Sequence, residues 1–167
     1  MSSSRKPKSK SNDILFRSER KTRNLDGDPD KYATPDHIYN ELNKEFRFIR
    51  NSDPCPIDWN PKTHPDGLKM RWRKRVFVNP PYSDVPAWIR KSVEECKKGS
   101  LVVMLINACT DTRVFHDCIY KRHEIRFIRG RLKFKHAKYG ILTSNVRPSM
   151  IVIFRPEDYA KGAKGYH

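Results

Sequence analysis

A chain of 167 residues, 37% hydrophobic and 32% charged, is the size of one ordinary domain with a single core and has none of the long apolar runs a membrane span needs. Its net charge of +16 and pI near 9.9 call for a polyanionic partner, nucleic acid before an anionic membrane, since no basic amphipathic helix accompanies the charge. Cys55, Cys96, Cys109 and Cys118 form no C-x-x-C pair and follow no secretory h-region, so they read as reduced thiols of an intracellular protein; with His116 and His123 they match no usual zinc spacing.

Residues 1–12 are a low-complexity basic tail, and the chain stays polar through the loop Gly27-Asp28-Pro29-Asp30. The whole of 1–31 is expected to be disordered and 32–167 to form a single domain. Thr34-Pro35 has the form of an N-cap followed by proline at the first helical position, with Ile38, Tyr39, Leu42 and Phe46 at helical spacing behind it. A short strand is expected at 46–50, a loop rich in Pro, Lys and Trp at 57–74, and an apolar strand at 75–78. Residues 84–98 read as a helix with Pro86 in its first turn and Trp88, Ile89, Val93 and Cys96 on its inner face.

The unbroken apolar run at 101–106 marks a strand covered on both faces. A helix at 111–120, with Asp111 either as its cap or lining the target pocket, is expected to bury Val114, Phe115, Cys118 and Ile119. Strands follow at 125–128 and 150–154, separated by a segment from Gly130 to Phe134 that runs into a loop around Tyr139-Gly140. Strands and helices alternate, so the expected class is α/β with a central, mostly parallel sheet.

The segment richest in chemistry is Asn79-Pro80-Pro81-Tyr82, where strand 75–78 must stop because consecutive prolines fit neither a helix nor a central strand. It forms a stiff ledge that offers an amide side chain, a bare carbonyl and an aromatic face. An exocyclic amine on a planar base suits it: Asn79 and the Pro80 carbonyl each accept one amine hydrogen, and the Tyr82 ring stacks on the base. In open α/β sheets, ligands bind at such carboxyl ends of strands.

Taken with Ala33-Thr34-Pro35, Ser52-Asp53-Pro54-Cys55, Asp66-Gly67-Leu68, the segment Arg126 to Phe134 and the segment Pro148 to Pro156, in that order over residues 32–156, this ledge resembles the small phage-type DNA N6-adenine methyltransferases. The resemblance implies a Rossmann-like fold and S-adenosylmethionine (SAM) as methyl donor. It assigns catalysis to Asn79, Pro80, Pro81 and Tyr82, and the donor site to Thr34, Pro35, Asp53, Cys55 and Asp66. Local readings of three of these stand beside it: Thr34 as a helix cap, Asp53 as a turn cap before Pro54, and Asp66 as an ordinary Asp-Gly turn residue. One departure from many SAM enzymes is plain: Asp53-Pro54-Cys55-Pro56 has no glycine where a glycine-rich loop is usual, and the chain has only 7 glycines.

Two basic stretches read as the nucleic-acid surface. The first is Lys69, Arg71, Trp72, Arg73, Lys74 and Arg75; the second runs through Arg126, Arg129, Arg131, Lys133 and Lys135, with Phe134 among them. The cations neutralise phosphates, and Trp72 or Phe134 either stacks on an unpaired base or belongs to the core. Trp59 and Trp88 read as packing residues, and His37, His64 and His136 as surface residues without a role. The leading expectation is SAM-dependent methylation of the adenine N6 amine in DNA. Rivals are an RNA adenine or protein glutamine methyltransferase, which meet the same planar NH₂ group, and a non-catalytic nucleic-acid-binding protein on a degenerate methyltransferase fold.

Overall fold

A computed structural model of the chain describes residues 32–160, so the basic tail expected at 1–31 lies outside the described residues. The core is a four-stranded sheet of order β2-β3-β7-β4, formed by β2 (Arg75–Val78), β3 (Leu101–Asn107), β7 (Ser149–Phe154) and β4 (Glu124–Phe127). The crossover from β2 to β3 runs through α2 (Val85–Lys97) and makes that pair parallel, Val78 opposite Met104. Strand β7 then enters between β3 and β4 and runs against both, with Val102 opposite Phe154 and Ile125 opposite Val152.

The sheet is therefore mixed, with one parallel pairing out of three, and the expectation of a mostly parallel sheet is corrected. The physical reason is that a strand covered on both faces is apolar throughout whichever way it runs, so 149–154 carries no mark of direction.

Alternate residues feed two cores. Val76, Val78, Val102, Met104, Ile106, Met150, Val152 and Phe154 face α2 and α3 (Arg113–Cys118). Phe77, Val103, Leu105, Ile151 and Ile153 face α1 (Asp36–Phe46) together with Leu132 and Phe134. A second, three-stranded antiparallel sheet covers that second side: β1 (Tyr32–Ala33), β5 (Lys133–His136) and β6 (Leu142–Ser144), in the order β1-β5-β6. A short helix, α4 (Glu157–Ala160), follows β7.

Several local expectations are corrected. No strand forms at 46–50: Phe46 ends α1, Arg47 turns left-handed at φ 52°, and Phe48 N–H donates to the Asn43 side chain. Phe46 and Phe48 instead join Tyr39 and Phe77 in an aromatic cluster. Pro35 rather than Thr34 occupies the cap of α1, and its carbonyl accepts from Ile38 and Tyr39 N–H. The cap of α3 is Thr112, not Asp111. His136 is buried, its ring edge-on to Tyr32, rather than set in polar surroundings. Among the described residues no helix is long and apolar enough to cross a membrane, and no three His, Cys, Asp or Glu side chains converge as metal ligands.

Candidate active site

The carboxyl end of β2 delivers the ledge. After Val78 the chain passes through Asn79, Pro80 and Pro81 into one tight helical turn, Tyr82–Asp84, and Asp84 then accepts from Ala87 N–H to cap α2. Strand, ledge and helix thus leave little backbone freedom at Asn79. Its Nδ2 donates to the Tyr32 carbonyl at 3.2 Å, which fixes the amide with Oδ1 turned the other way. That Oδ1 is buried and has no partner among the described residues. Tyr82 Oη is likewise buried and unpartnered, its ring meets Phe134 edge-on at 6.5 Å, and burial pushes the phenol up to about 12. A buried acceptor left open by the fold costs stability unless a donor reaches it.

Asn79 stands at the wall of a cavity of about 690 Å³. Thr34, then Asp53 and Cys55, then Asp66, from three segments distant in sequence, converge on it. Pro35, Pro80 and Tyr82 lie outside its lining; Pro35 serves as the helix cap and Pro80 is the buried member of the ledge. Residues that sequence reasoning did not place here also line it: Asp36, Tyr39, Ile57, Trp59, Asp84 and Trp88. Trp59 is half-exposed and held by its indole N–H to the Pro65 carbonyl at 3.0 Å, an orientation no spacing rule would reveal. In a chain of net charge +16, the four carboxylates Asp36, Asp53, Asp66 and Asp84 on one cavity make a locally acidic pocket suited to a cationic ligand.

The turn readings and the cavity positions hold together. Asp53 Oδ1 accepts from Cys55 N–H at 2.9 Å, and Asp66 Oδ1 accepts from Leu68 N–H at 3.0 Å. Asp53 is exposed as a residue, yet protein crowds its carboxyl, and that desolvation raises it above its ordinary range against the pull of the Cys55 amide. The Cys55 thiol lies 3.4 Å from the Asn79 carbonyl. Burial, then the Asp53 charge, push it well above the usual thiol range, so it is a neutral packing group and not a nucleophile.

Glycine is needed at one point of this wall. A Cβ on Gly67 would sit 2.0 Å from the Pro54 carbonyl oxygen and 2.7 Å from the Trp88 ring. Trp72 locks the contact: its indole N–H donates to the Gly67 carbonyl at 2.7 Å, its ring stacks on Trp88 at 6.0 Å, and its backbone N–H donates to Glu95 at 3.0 Å.

Residues 21–163 match the family described as DNA N-6-adenine-methyltransferase (Dam). The chain belongs to that family. Methyl transfer to the N6 amine of adenine in DNA is the activity this membership carries. A protein of Haemophilus phage HP1 (strain HP1c1) named DNA N-6-adenine-methyltransferase is similar to it, 29% identical over 140 residues that cover 78% of this chain and 81% of that protein. No solved structure matches.

For a DNA-acting family the basic stretches need redrawing. Trp72 is 3% exposed and clamped by Trp88, so its ring faces are closed to a base, and Phe134 is buried as well. Arg71 is paired with Glu95 and donates to the Lys98 carbonyl at 2.7 Å, while Lys69 pairs with Asp66 at 3.3 Å. Arg126 is held by Glu45 and Glu124, each at 2.6 Å. Arg73, Lys74 and Arg75 are exposed, but they precede or open β2, whereas Asn79 follows its far end. Nearness in sequence to a strand's start is not nearness to the site at its finish. Arg129, Arg131 and Lys133 are exposed and follow the end of β4, which runs in the same direction as β2 and so finishes on the same side of the sheet as Asn79.

Proposed function

We propose that this protein is a SAM-dependent methyltransferase in which the Asn79-Pro80-Pro81-Tyr82 ledge receives the adenine amine, on a Rossmann-like variant whose β2–α2–β3 unit places the donor at a strand's carboxyl end. The observation that supports this most is the buried Asn79 Oδ1, oriented by Tyr32 and unsatisfied, at the wall of the acidic cavity. The cavity fits the donor by chemistry: SAM carries a sulfonium and an ammonium, and Asp36, Asp53, Asp66 and Asp84 face the space. Its volume of about 690 Å³ suits a nucleoside-sized ligand, and Ile57, Trp59 and Leu68 supply apolar wall for an adenosyl ring. When bound, SAM supplies an electrophilic methyl group on a positively charged sulfur.

This chain's residues then orient the nucleophile. The adenine amine is poorly nucleophilic because its lone pair is delocalised into the ring. Asn79 Oδ1 and the Pro80 carbonyl accept its two hydrogens, favour a pyramidal nitrogen and aim its lone pair toward the donor side. Tyr82 covers the base once it has left the duplex stack. No general base is required: the nitrogen becomes acidic only as the N–C bond forms, and its proton passes to solvent. DNA as substrate places the protein inside a cell.

The test is direct. Incubate the protein with methyl-labelled SAM and adenine-unmethylated DNA, RNA or bulk protein, and identify the labelled product. Label in N6-methyladenine of DNA is expected. Label confined to RNA or to protein amide would move the substrate, and label in none of the three would remove the enzymatic reading.

A further inference from the structure

The outer face of the second sheet is the part of the fold that the methyl-transfer reading leaves unused. In β5, Phe134 and His136 point inward, which turns Lys133 and Lys135 outward. Register sets Lys135 opposite Leu142 and Lys133 opposite Ser144, so Leu142 shares the outer face with both lysines. Leu142 is 64% exposed and Val146, just beyond β6, is 65% exposed. Arg147 follows at once, donating to Cys109 at 3.1 Å from the loop after β3. The outer face of the hairpin thus carries Leu142 beside two lysines, and the bend after β6 adds the exposed Val146 and the cation Arg147.

Its position bears on catalysis. Phe134, on the inner face, is the residue that Tyr82 packs against, and β1 ties the hairpin to the cavity by pairing Ala33, the neighbour of Thr34, with Lys135. We propose that this face grips the DNA duplex: Leu142 and Val146 press into the base stack beside the target adenine, and Lys133, Lys135 and Arg147 hold the flanking phosphates. Apolar side chains on a cationic element are the means by which proteins unstack a step of duplex, and the adenine amine is out of reach until its base leaves the stack. Charge selects this occupant over a second copy of the chain, since docking this face on another chain of net charge +16 would bring like charges together. The proposal rests on the adenine-methylating reading above and adds the surface that meets the duplex.

The experiment compares native duplex DNA with the same DNA heat-denatured, using labelled SAM and the full chain. The double variant Leu142→Ser/Val146→Ser is expected to lose transfer to the duplex about tenfold more than transfer to denatured DNA, because only the duplex needs unstacking. Equal losses on both, or none on the duplex, overturn the proposal. Separately, Lys133→Ala/Lys135→Ala is expected to lower the salt slope of duplex binding, followed by anisotropy of a labelled duplex, by about 2; an unchanged slope overturns it. A dimer of the unchanged protein that Leu142→Ser dissolves would assign the face to self-association instead. If the unchanged protein labels neither form of DNA, the methylation reading itself falls, whereas selective failure of the variants sinks only the hairpin.

Discussion

Asn79 has one donor side and one acceptor side, and the fold consumes only the donor side, through Tyr32. Asn79→Ala is expected to lower kcat by about 10²–10³-fold, the usual cost of one oriented polar group at a reacting centre. SAM affinity by calorimetry and DNA affinity should change little, and comparable loss of all three would make the ledge structural. Gly67→Ala forces a methyl group into the Pro54 carbonyl and the Trp88 ring. Destabilisation of about 1–3 kcal/mol is expected in thermal melts, with weaker SAM binding, because that contact sets the cavity wall. Burial keeps Cys55 protonated, so its alkylation by iodoacetamide at neutral pH, followed by peptide mass spectrometry, should run far slower than that of an unfolded control.

Glu95 gives α2 its anchor. Its side chain is fully buried, and it receives Lys91 at 2.9 Å, the Trp72 N–H at 3.0 Å and Arg71. Desolvation alone would raise its carboxyl, but those three partners outweigh it and bring it to about 2 from an ordinary 4.5. The folded chain therefore holds fewer protons than the unfolded one across that window. The stabilisation is complete above pH 4.5 and is lost as pH falls toward 2, on the order of 3 kcal/mol. Denaturant titrations at stepped acid pH should show this loss, and Glu95→Leu should flatten it. These elements also mark how far the sequence could be read. The strand, ledge and helix from Arg75 to Lys97 were legible because Pro80-Pro81 stops a strand and Asp84 caps a helix by purely local rules. The hairpin was not legible, since β5 and β6 are four and three residues long and pair through a loop without a tight-turn signal. The 46–50 strand was misread because aromatic rings that pack beneath a sheet have the same composition as rings within one. Cavity residues such as Trp59 and Asp84 were missed because convergence of distant loops leaves no periodic trace.

The protein as a body is electrically divided: a chain of net charge +16 encloses a pocket faced by four aspartates. Duplex affinity should therefore fall steeply, linearly in the logarithm of salt with a slope near −0.9 per phosphate neutralised. SAM binding, inside the pocket, should respond far less, and calorimetry of each ligand at stepped ionic strength separates the two. The order of strands has a last consequence. Among the described residues, strand β4 bonds only to β7 within the main sheet, and β7 begins at Ser149. A nascent chain still on the ribosome before that point holds β4 without a neighbour and β3 with a bare edge. Closure of both cores thus waits on synthesis of β7, and a premature stop codon upstream of Ser149 should yield a product that proteases clear rather than a weakened enzyme.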